Sequence, residues 1–294
     1  MISAPARLSR DHFALSIAQE DKNATVSFED IAVIILNHRQ ITITHPVLSA
    51  CSEYGIALFS TAENGLPNGV FLPFSAFSRT SKMLRLQLNV AKPIAKRAWA
   101  SIVKAKIINQ AKTLALMGKN ADRLFVMSEK VRSADADNME SQAASFYFAE
   151  LFGDHFNRRN ENAINSALNF GYAIFRGAIA RNLVAHGLNP ELGLFHHSEL
   201  NAFNLADDLI EPFRPIVDLW VAKEIFAKNR SFNAPEKAAL VTLLNADVQM
   251  SNGKTAAINA IDFVVESLVR LYANKEEILE APILLGTEAH FVES

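Results

Sequence analysis

The sequence predicts an α+β fold in which a small N-terminal β domain, residues 1–76, precedes a larger all-α C-terminal domain, residues 77–294. The first 75 residues contain short runs of β-branched and aromatic residues separated by turn formers, which is typical of strands. From about residue 79 the apolar residues recur at intervals of three and four, the period of a buried helix face. No repeat of 20–50 residues is present, which argues against a solenoid.

The N-terminal region has six segments of strand character and one of helical character. The helical segment, residues 45–55, has apolar residues at helical spacing and ends at Gly55, a residue type common just after a helix. Residues 63–69, ENGLPNG, have the composition of a hairpin turn. The predicted strands are 13–17, 24–28, 31–36, 40–44, 56–60 and 69–74.

The C-terminal region reads as a series of helices that continues to about residue 278. Pro93 suits the first turn of one of them, because proline lacks the N–H that this turn leaves unpaired. Breaks between helices are predicted near residues 118–120, 132–138, 153–160, 187–193, 229–234 and 251–254.

Composition excludes several classes of protein. Of the 294 residues 50% are hydrophobic and 20% are charged, which is typical of a globular protein with enough apolar residues for two cores. The single cysteine, Cys51, rules out a disulfide framework and a cysteine-based zinc site. Residues 1–10 lack the pattern of a signal peptide, and the apolar run 31–36 is too short to span a bilayer. We therefore expect a cytoplasmic protein.

The net charge of −2 conceals a strongly basic block. Residues 79–132 contain 13 Lys and Arg but only 2 Asp and Glu, a net charge of +11, whereas the flanking regions are acidic. A block so poor in acidic residues favours a surface that binds a polyanion. The alternative is a solvated helix face that carries scattered lysines.

The most informative feature is a pair of histidines, His196 and His197, followed by an acidic cluster of Asp207, Asp208 and Glu211. Asp208 and Glu211 are three residues apart, so a helix would place them on one face. A histidine with two carboxylates is a plausible ligand set for a divalent metal that must hold a phosphate. The alternative is that the acids only favour a helix N-terminus, and that the histidine is structural.

Two further groups of polar residues allow a structural and a functional interpretation. From spacing alone, Glu140 is more simply a helix cap than a metal ligand. Asn162, Asn165, Asn169 and Tyr172 are spaced three, four and three, so they share one helix face. They either form a polar packing ladder or orient the ligands of a nearby metal.

These segments resemble the CRISPR-associated integrase of spacer acquisition, most closely the version found in type II systems. The matching segments are residues 140–148, 164–181 and 193–218, and residues 73–111 match in layout, so the resemblance covers most of the chain. It implies a metal-dependent DNA endonuclease and integrase that inserts short DNA fragments into a CRISPR array. The 3′-hydroxyl of the fragment would attack a phosphodiester, as part of antiviral adaptive immunity.

The resemblance also implies roles for individual residues. The family's metal ligands fall on Glu140, His196 and Glu211, and Asp208 matches an acidic position that supports the site. These four residues form the expected catalytic set, with Mg²⁺ or Mn²⁺ as the cofactor. His197 and Asp207 match no ligand of the family. We place Asn165, Asn169 and Tyr172 around the ligands.

The expected partner of the basic block is double-stranded DNA. The resemblance further implies a homodimer that assembles with a dimer of a small ferredoxin-like adaptation protein, without a membrane. The competing hypothesis is a non-catalytic DNA-binding scaffold of the adaptation complex, whose carboxylates only cap helices. The residues expected to contact DNA are Arg79, Lys82, Arg85, Lys92, Lys96, Arg97, Arg158 and Arg159.

Overall fold

A computed structural model of the chain describes residues 1–20, 22–63, 65–73, 79–273 and 278–285. The predicted boundary between residues 76 and 77 lies outside these residues, as does Phe74, the last residue of the predicted strand 69–74. The division into two domains therefore stays a prediction. Among the described residues, no helix is both long and apolar enough to cross a membrane.

The N-terminal region forms two sheets around one helix. A four-stranded sheet has the order β3-β2-β1-β5, and a three-stranded sheet has the order β4-β6-β7. The elements are β1 (Ala6–Asp11), β2 (Ala14–Ala18), β3 (Asn23–Ser27), β4 (Val33–Leu36), β5 (Ile41–Ile43), α1 (His45–Glu53), β6 (Ala57–Thr61) and β7 (Pro67–Phe71). The predicted strands correspond to β2 to β7, and the predicted helix 45–55 to α1.

Strand β1 is not predicted from the sequence. This strand pairs antiparallel with β2 and parallel with β5, so it lies inside its sheet. Its sequence ARLSRD contains three charged residues, and only Ala6 and Leu8 are buried. Strand pairing decides its conformation, because the apolar pattern is too short to stand out from a loop.

The sheet β4-β6-β7 lies between two hydrophobic cores. Ile34 and Leu58 pack into the N-terminal core, whereas the next residues along each strand, Ile35 and Phe59, pack into the core of the helical region. Successive strand residues point to opposite faces, so a sheet covered on both sides needs an apolar run such as 31–36.

The C-terminal region consists mainly of helices, as predicted. They are α2 (Thr80–Leu88), α3 (Lys92–Leu116), α4 (Asp122–Glu129), α5 (Met139–Phe152), α6 (Ala163–Ala185), α7 (Asn204–Leu209), α8 (Arg214–Val221), α9 (Ala234–Thr242) and α10 (Ala257–Tyr272). A single 3₁₀ turn, Glu211–Phe213, connects α7 to α8. Helix α6 packs directly on the N-terminal sheet at Gly177, where any side chain would overlap the Phe59 ring.

The helical region also contains a small sheet that the sequence analysis does not predict. Its order is β10-β8-β9, with β8 (Asp247–Met250), β9 (Gly253–Ala256) and β10 (Ile283–Leu284). The strands β8 and β9 form a hairpin at the predicted break 251–254. Each strand has only four residues or fewer, too few to establish a period of two against the surrounding helical pattern.

Helix α3 is the central support of the region that carries the predicted metal ligands. The side chain of Asn109 on α3 is buried and donates hydrogen bonds to the carbonyl oxygens of Pro212 (2.7 Å) and Pro282 (2.9 Å). It also accepts one from the backbone N–H of Leu284 (2.9 Å). These bonds fix the 3₁₀ turn against α3, so that Glu211 faces the residue one turn before Asn109, which is Lys106.

Candidate active site

Asp208 on α7 organises the loop that carries His196. Its carboxylate is completely buried and accepts hydrogen bonds from the backbone N–H groups of Leu194 (2.6 Å), Phe195 (3.0 Å) and His196 (3.2 Å). The loop approaches this closely because Gly193 lacks a side chain: a Cβ there would lie 2.2 Å from the His196 carbonyl oxygen. The sequence Gly-Leu-Phe-His is thus folded around one buried carboxylate.

Asp208 also sets the state of the His196 ring. The ring Nδ1 lies 2.7 Å from Asp208 Oδ1, so Nδ1 carries the proton and Nε2 is left free to bind a metal. This hydrogen bond is the main reason why the pKa of His196 is raised, and the nearby Glu211 and Glu140 carboxylates add to the effect. Asp208 is therefore placed to orient the histidine rather than to hold an ion itself.

The second half of the candidate site is a buried cluster of opposite charges. Lys106 Nζ lies 2.6 Å from Glu140 Oε1 and 2.5 Å from Glu211 Oε2, so one ammonium group bridges both carboxylates. Arg214 Nε lies 2.9 Å from the other oxygen of Glu211. The contact between Glu211 Oε2 and Lys106 has no hydrogen-bond geometry, which leaves a buried carboxylate oxygen without a hydrogen bond.

The cluster shifts the pKa of its members in opposite directions. Burial alone would raise the pKa of Glu211, but the Arg214 and Lys106 cations outweigh burial, and the pKa is lowered. Burial alone would lower the pKa of Lys106, but Glu211 and Glu140 outweigh it, and the pKa is raised. The lowered pKa of Glu211 favours its ionised carboxylate, which is the form that binds metals.

Glu140 is not the cap of its helix. Asp135 accepts hydrogen bonds from the backbone N–H groups of Met139 (2.8 Å) and Glu140 (3.0 Å) and caps the start of α5. Three residues of this turn, Ala134, Asp135 and Asn138, have positive φ angles between 51° and 60°. The turn leaves the Glu140 side chain free to point at Lys106, which argues against the cap interpretation and favours a role in the site.

His197 and Asp207 point elsewhere. His197 is exposed, whereas its neighbour His196 bonds to Asp208. Asp207 accepts a hydrogen bond from Asn201 Nδ2 (2.8 Å) and lies 3.7 Å from Arg176 Nη1. Of the adjacent pairs in the sequence, the structure therefore brings His196 and Asp208 into the site and leaves the other member of each pair outside it.

A second layer lies behind Arg214. The Arg214 guanidinium lies 4.5 Å from the centre of the Tyr172 ring, and the hydroxyl of Tyr172 donates a hydrogen bond to Asp218. The hydroxyl of Tyr147 donates a second one, at 3.0 Å. Burial raises the pKa of Asp218 to about 6, although both tyrosine hydroxyls oppose the shift.

Asn165 and Asn169 reach the site only indirectly. Their side-chain oxygens accept hydrogen bonds from Arg158 at 2.5 and 2.8 Å, and Arg158 lies 5.6 Å from the Tyr172 ring centre. Asn162 caps helix α6 by accepting a hydrogen bond from the Asn165 N–H. The polar face of α6 is thus a packing ladder whose last member, Tyr172, supports Arg214.

The predicted DNA-binding residues fall into two groups. Six are exposed and form no ion pair with a described acidic residue: Arg79, Lys82, Arg85, Lys92, Lys96 and Arg97. Arg159 is exposed as well, whereas Arg158 is half-buried and bonded to two asparagines. Other cations of the block are paired with acidic residues, since Lys104 forms a surface ion pair with Glu129 (3.0 Å) and the buried Lys106 pairs with Glu140 and Glu211.

Three residues around the site are not predicted from the sequence: Lys106, Arg214 and Asp218. Lys106 lies on the buried face of α3, three residues from Val103 and four from Gln110, both buried. A lysine within an apolar stripe is the one local signal that could have marked it, because a buried lysine requires an acidic partner. Asp218 gives a similar signal, as a single acid in the apolar sequence RPIVDLWV of α8.

The donor set fits a divalent metal. The buried Glu211 and the half-buried Glu140 already share one cation, Lys106, and a neighbouring imidazole has Nε2 free. With Lys106 between them, the ligand atoms of Glu140, His196 and Glu211 do not converge as they would around an ion. Within the described residues, a set that does converge is His186, Asp262 and Glu266, whose ligand atoms lie within 4.8 Å of one another.

Comparisons with known proteins agree with the fold and with the order of the motifs. The family model described as "CRISPR associated protein Cas1" matches residues 1–247. A "CRISPR-associated endonuclease Cas1" from Neisseria meningitidis serogroup C is 42% identical over 272 residues, which cover 91% of this chain and 89% of that protein. The chain belongs to the Cas1 family. Membership confirms the predicted family and the predicted class of CRISPR-associated endonuclease.

Solved structures share the fold at low sequence identity. A "CAS1 protein from Thermotoga maritima" has a TM-score of 0.76 and 16% identity, and the match covers 98% of this chain and 99% of that one. A "Casposase bound to integration product" also has a TM-score of 0.76, with 18% identity over 94% and 90% of the two chains. A "Cas6-RT-Cas1–Cas2 complex" has a TM-score of 0.72, with 18% identity over 94% of this chain and 34% of that one. The predicted fold class is confirmed.

Proposed function

We propose that the chain joins short duplex DNA fragments to a CRISPR array, using Mg²⁺ or Mn²⁺ held by Glu140, His196 and Glu211. The observation that carries this proposal is the grouping of His196 with the buried Glu211 and the half-buried Glu140, two carboxylates that share one cation and whose charges both act on the histidine. In the reaction, a 3′-hydroxyl attacks a phosphodiester. One P–O bond forms and one breaks, and the proton of the attacking hydroxyl is balanced by the one that the leaving oxygen gains. Water in place of the 3′-hydroxyl gives endonuclease cleavage.

The bound ion would supply Lewis-acid stabilisation of the charge at phosphorus and would lower the pKa of the attacking hydroxyl or water. The protein positions the side chains that would bind the ion. Asp208 holds the His196 ring with Nε2 free, and Arg214 balances the charge of Glu211. Lys106 keeps the Glu140 and Glu211 carboxylates together when no ion is bound, because its positive charge offsets the repulsion between them.

The exposed cations on α2 and α3 are the proposed contacts to the DNA backbone. They are Arg79, Lys82, Arg85, Lys92, Lys96 and Arg97, with Arg159 on the loop before α6. Contacts of this kind are independent of base sequence and weaken steeply with salt. A relative of the same fold is described as bound to an integration product, which supports DNA as the substrate.

We further propose that the protein acts as a homodimer together with a second adaptation protein. Structures of the same fold include complexes described as Cas1–Cas2, which supports a partner of that kind. A small ferredoxin-like protein that binds as a dimer is the partner that the sequence resemblance implies.

Strand transfer of a labelled short duplex into a supercoiled plasmid with a repeat tests the proposal. The assay contains the small partner and is run with Mn²⁺, with Mg²⁺ and with EDTA. We expect a joined product with either metal, none with EDTA, and none with His196→Ala. The control is His12→Asn, which changes an exposed histidine on the β1–β2 turn and should retain activity. Equal activity of wild type and His196→Ala would contradict the ligand assignment, and DNA binding without any product would favour the scaffold hypothesis.

A further inference from the structure

An exposed aromatic ring borders the candidate active site. The Phe195 side chain belongs to a residue that is 47% exposed, and its ring lies on the indole of Trp99, a residue only 1% exposed. The ring centres are 4.3 Å apart and the planes differ by 1°, so the rings are stacked in parallel. Phe195 therefore presents one fixed flat face to solvent, unlike an isolated surface phenylalanine.

The stacked pair of Phe195 and Trp99 contacts His196, a proposed metal ligand. The His196 imidazole contacts both rings edge-on, with its centre 5.7 Å from that of Trp99 and 5.5 Å from that of Phe195. The Phe195 backbone N–H is bonded to Asp208, the same carboxylate that orients His196. The exposed face of Phe195 thus has a defined position relative to a proposed metal ligand.

The surroundings of the ring are basic and contain a donor without an acceptor. A cavity of about 520 Å³, in the size range of small-molecule sites, is lined by Phe195, Trp99, Lys92 and Lys96. Among the described residues that line it, none is acidic. The indole Nε1–H of Trp99 is buried and has no hydrogen-bond partner in the described part of the chain. The exposed Phe195 ring and the two lysines favour a ligand that combines a flat apolar face with negative charge.

We propose that Phe195 is a stacking platform for an unpaired nucleobase of the DNA, whose adjoining phosphates contact Lys92 and Lys96. A nucleotide is the component of the substrate that has both a flat ring and an anionic group. Base–aromatic stacking next to lysines is the general means by which proteins hold unpaired DNA. The platform positions the strand whose phosphate or 3′-hydroxyl lies at the site, and this inference rests on the proposed function.

The direct test is the fluorescence of 2-aminopurine, which falls when the base stacks. One set of duplexes carries it as an unpaired base at the fragment end, and a second set carries it at an unpaired position beside the target phosphate. We expect wild type to quench one of the two sets, Phe195→Ala to quench neither, and Phe195→Tyr to restore the quenching. The set that responds shows which strand uses the platform.

The affinity for the duplex whose fluorescence is quenched measures how much stacking on Phe195 contributes to DNA binding. Loss of one base–aromatic stack should weaken binding by Phe195→Ala roughly 5- to 150-fold, with no change for a fully paired duplex. The matched control is Phe13→Ala, which removes a phenylalanine that is 73% exposed on the distant β1–β2 turn. Unchanged melting temperature and Mn²⁺ binding would show that Phe195→Ala is folded with its site intact.

Each result has a distinct meaning. No quenching of either set by wild type, or equal quenching by wild type and Phe195→Ala, would overturn the platform. Loss of binding to the small adaptation partner in Phe195→Ala, with DNA binding unchanged, would overturn it in favour of a protein-binding face. Quenching that depends on Phe195 in a protein without strand transfer would support the platform and contradict the proposed function.

Discussion

Two buried carboxylates of the site, Asp208 and Glu211, lie three residues apart and are stabilised in different ways. Asp208 accepts hydrogen bonds from three backbone N–H groups and from the His196 ring, whereas Glu211 is paired with the side chains of Lys106 and Arg214. Backbone donors belong to the fold and cannot leave without unfolding the loop. Side-chain cations can move, so the position that Lys106 occupies is one that another cation can take.

The difference explains why only one of the two carboxylates is a proposed ligand. In the described part of the chain, the hydrogen-bonding neighbours of Asp208 all belong to the loop that it organises, so its role is to position His196. Glu211 has one oxygen without a hydrogen bond, facing a cation that it shares with Glu140. The variants that follow are ordered from the largest expected effect to the smallest, and each alters one side of this comparison.

Replacing Asp208 with alanine should have the largest effect on stability. Asp208→Ala leaves three buried N–H groups without an acceptor, and each such group costs about 1–3 kcal/mol. We expect the free energy of unfolding to fall by about 5 kcal/mol in urea titrations. Asp208→Asn keeps one acceptor oxygen and should lose less. A loss below about 1 kcal/mol in Asp208→Ala would show that the loop does not depend on this carboxylate.

Replacing Lys106 tests the exchangeable side of the comparison. Lys106→Met leaves the buried Glu211 and the half-buried Glu140 without their shared cation, and removing one partner of a buried ion pair costs about 4 kcal/mol. In EDTA the melting temperature should therefore fall. Added Mn²⁺ should raise it further in Lys106→Met than in wild type, because the ion no longer competes with the ammonium. An equal effect of Mn²⁺ on both proteins would show that Lys106 does not occupy the metal position.

The pH dependence of stability tests the role of Asp218, which lies behind Arg214. Its pKa is raised from 3.8 to about 6, so the folded protein binds the proton more tightly than the unfolded chain. The stabilisation by this proton is complete below about pH 4 and is lost as the pH rises through 6. The shift corresponds to about 3 kcal/mol. Unfolding titrations from pH 4 to pH 7 should show wild type losing about that much relative to Asp218→Asn, and parallel profiles would contradict the assignment.

Replacing exposed cations should have the smallest effect on the stability of the fold, but it should change the salt dependence of DNA binding. Lys82 and Arg85 are exposed on α2 and unpaired with described acids. Removing both should reduce the slope of log affinity against log salt by about 2, since each phosphate contact contributes about one unit. The control is Lys254→Ala, whose lysine pairs with Asp247 at 2.9 Å on the C-terminal hairpin. An unchanged slope would exclude α2 from the DNA interface.

The sequence alone predicts the part of the site whose residues lie near one another along the chain. His196 and Asp208 are separated by one loop and one helix start, and their spacing indicates that they meet. The resemblance to a known family supplies the role of Glu140, for which local spacing favours a cap. The cap turns out to be Asp135, whose turn needs residues at positive φ that no periodic pattern reveals.

The other half depends on tertiary packing. Lys106 meets Glu211 because Asn109, one turn further on α3, binds the turn that contains Pro212. The stacked pair of Trp99 and Phe195 likewise joins α3 to the histidine loop. No local rule indicates which face of a 25-residue helix will meet a distant turn. The strand β1 was missed for the same reason, since its neighbours β2 and β5 define it.

Calorimetric titration with Mn²⁺ tests the central claim, that Glu140, His196 and Glu211 form the metal site, most directly. The titration compares wild type with Glu211→Gln and with Asp262→Asn, which alters the separate group formed by His186, Asp262 and Glu266. We expect Glu211→Gln to lose the binding that Asp262→Asn retains, and the same ion to support strand transfer in Asp262→Asn. Binding that survives in Glu211→Gln and disappears in Asp262→Asn would place the ion at the other group and contradict the account.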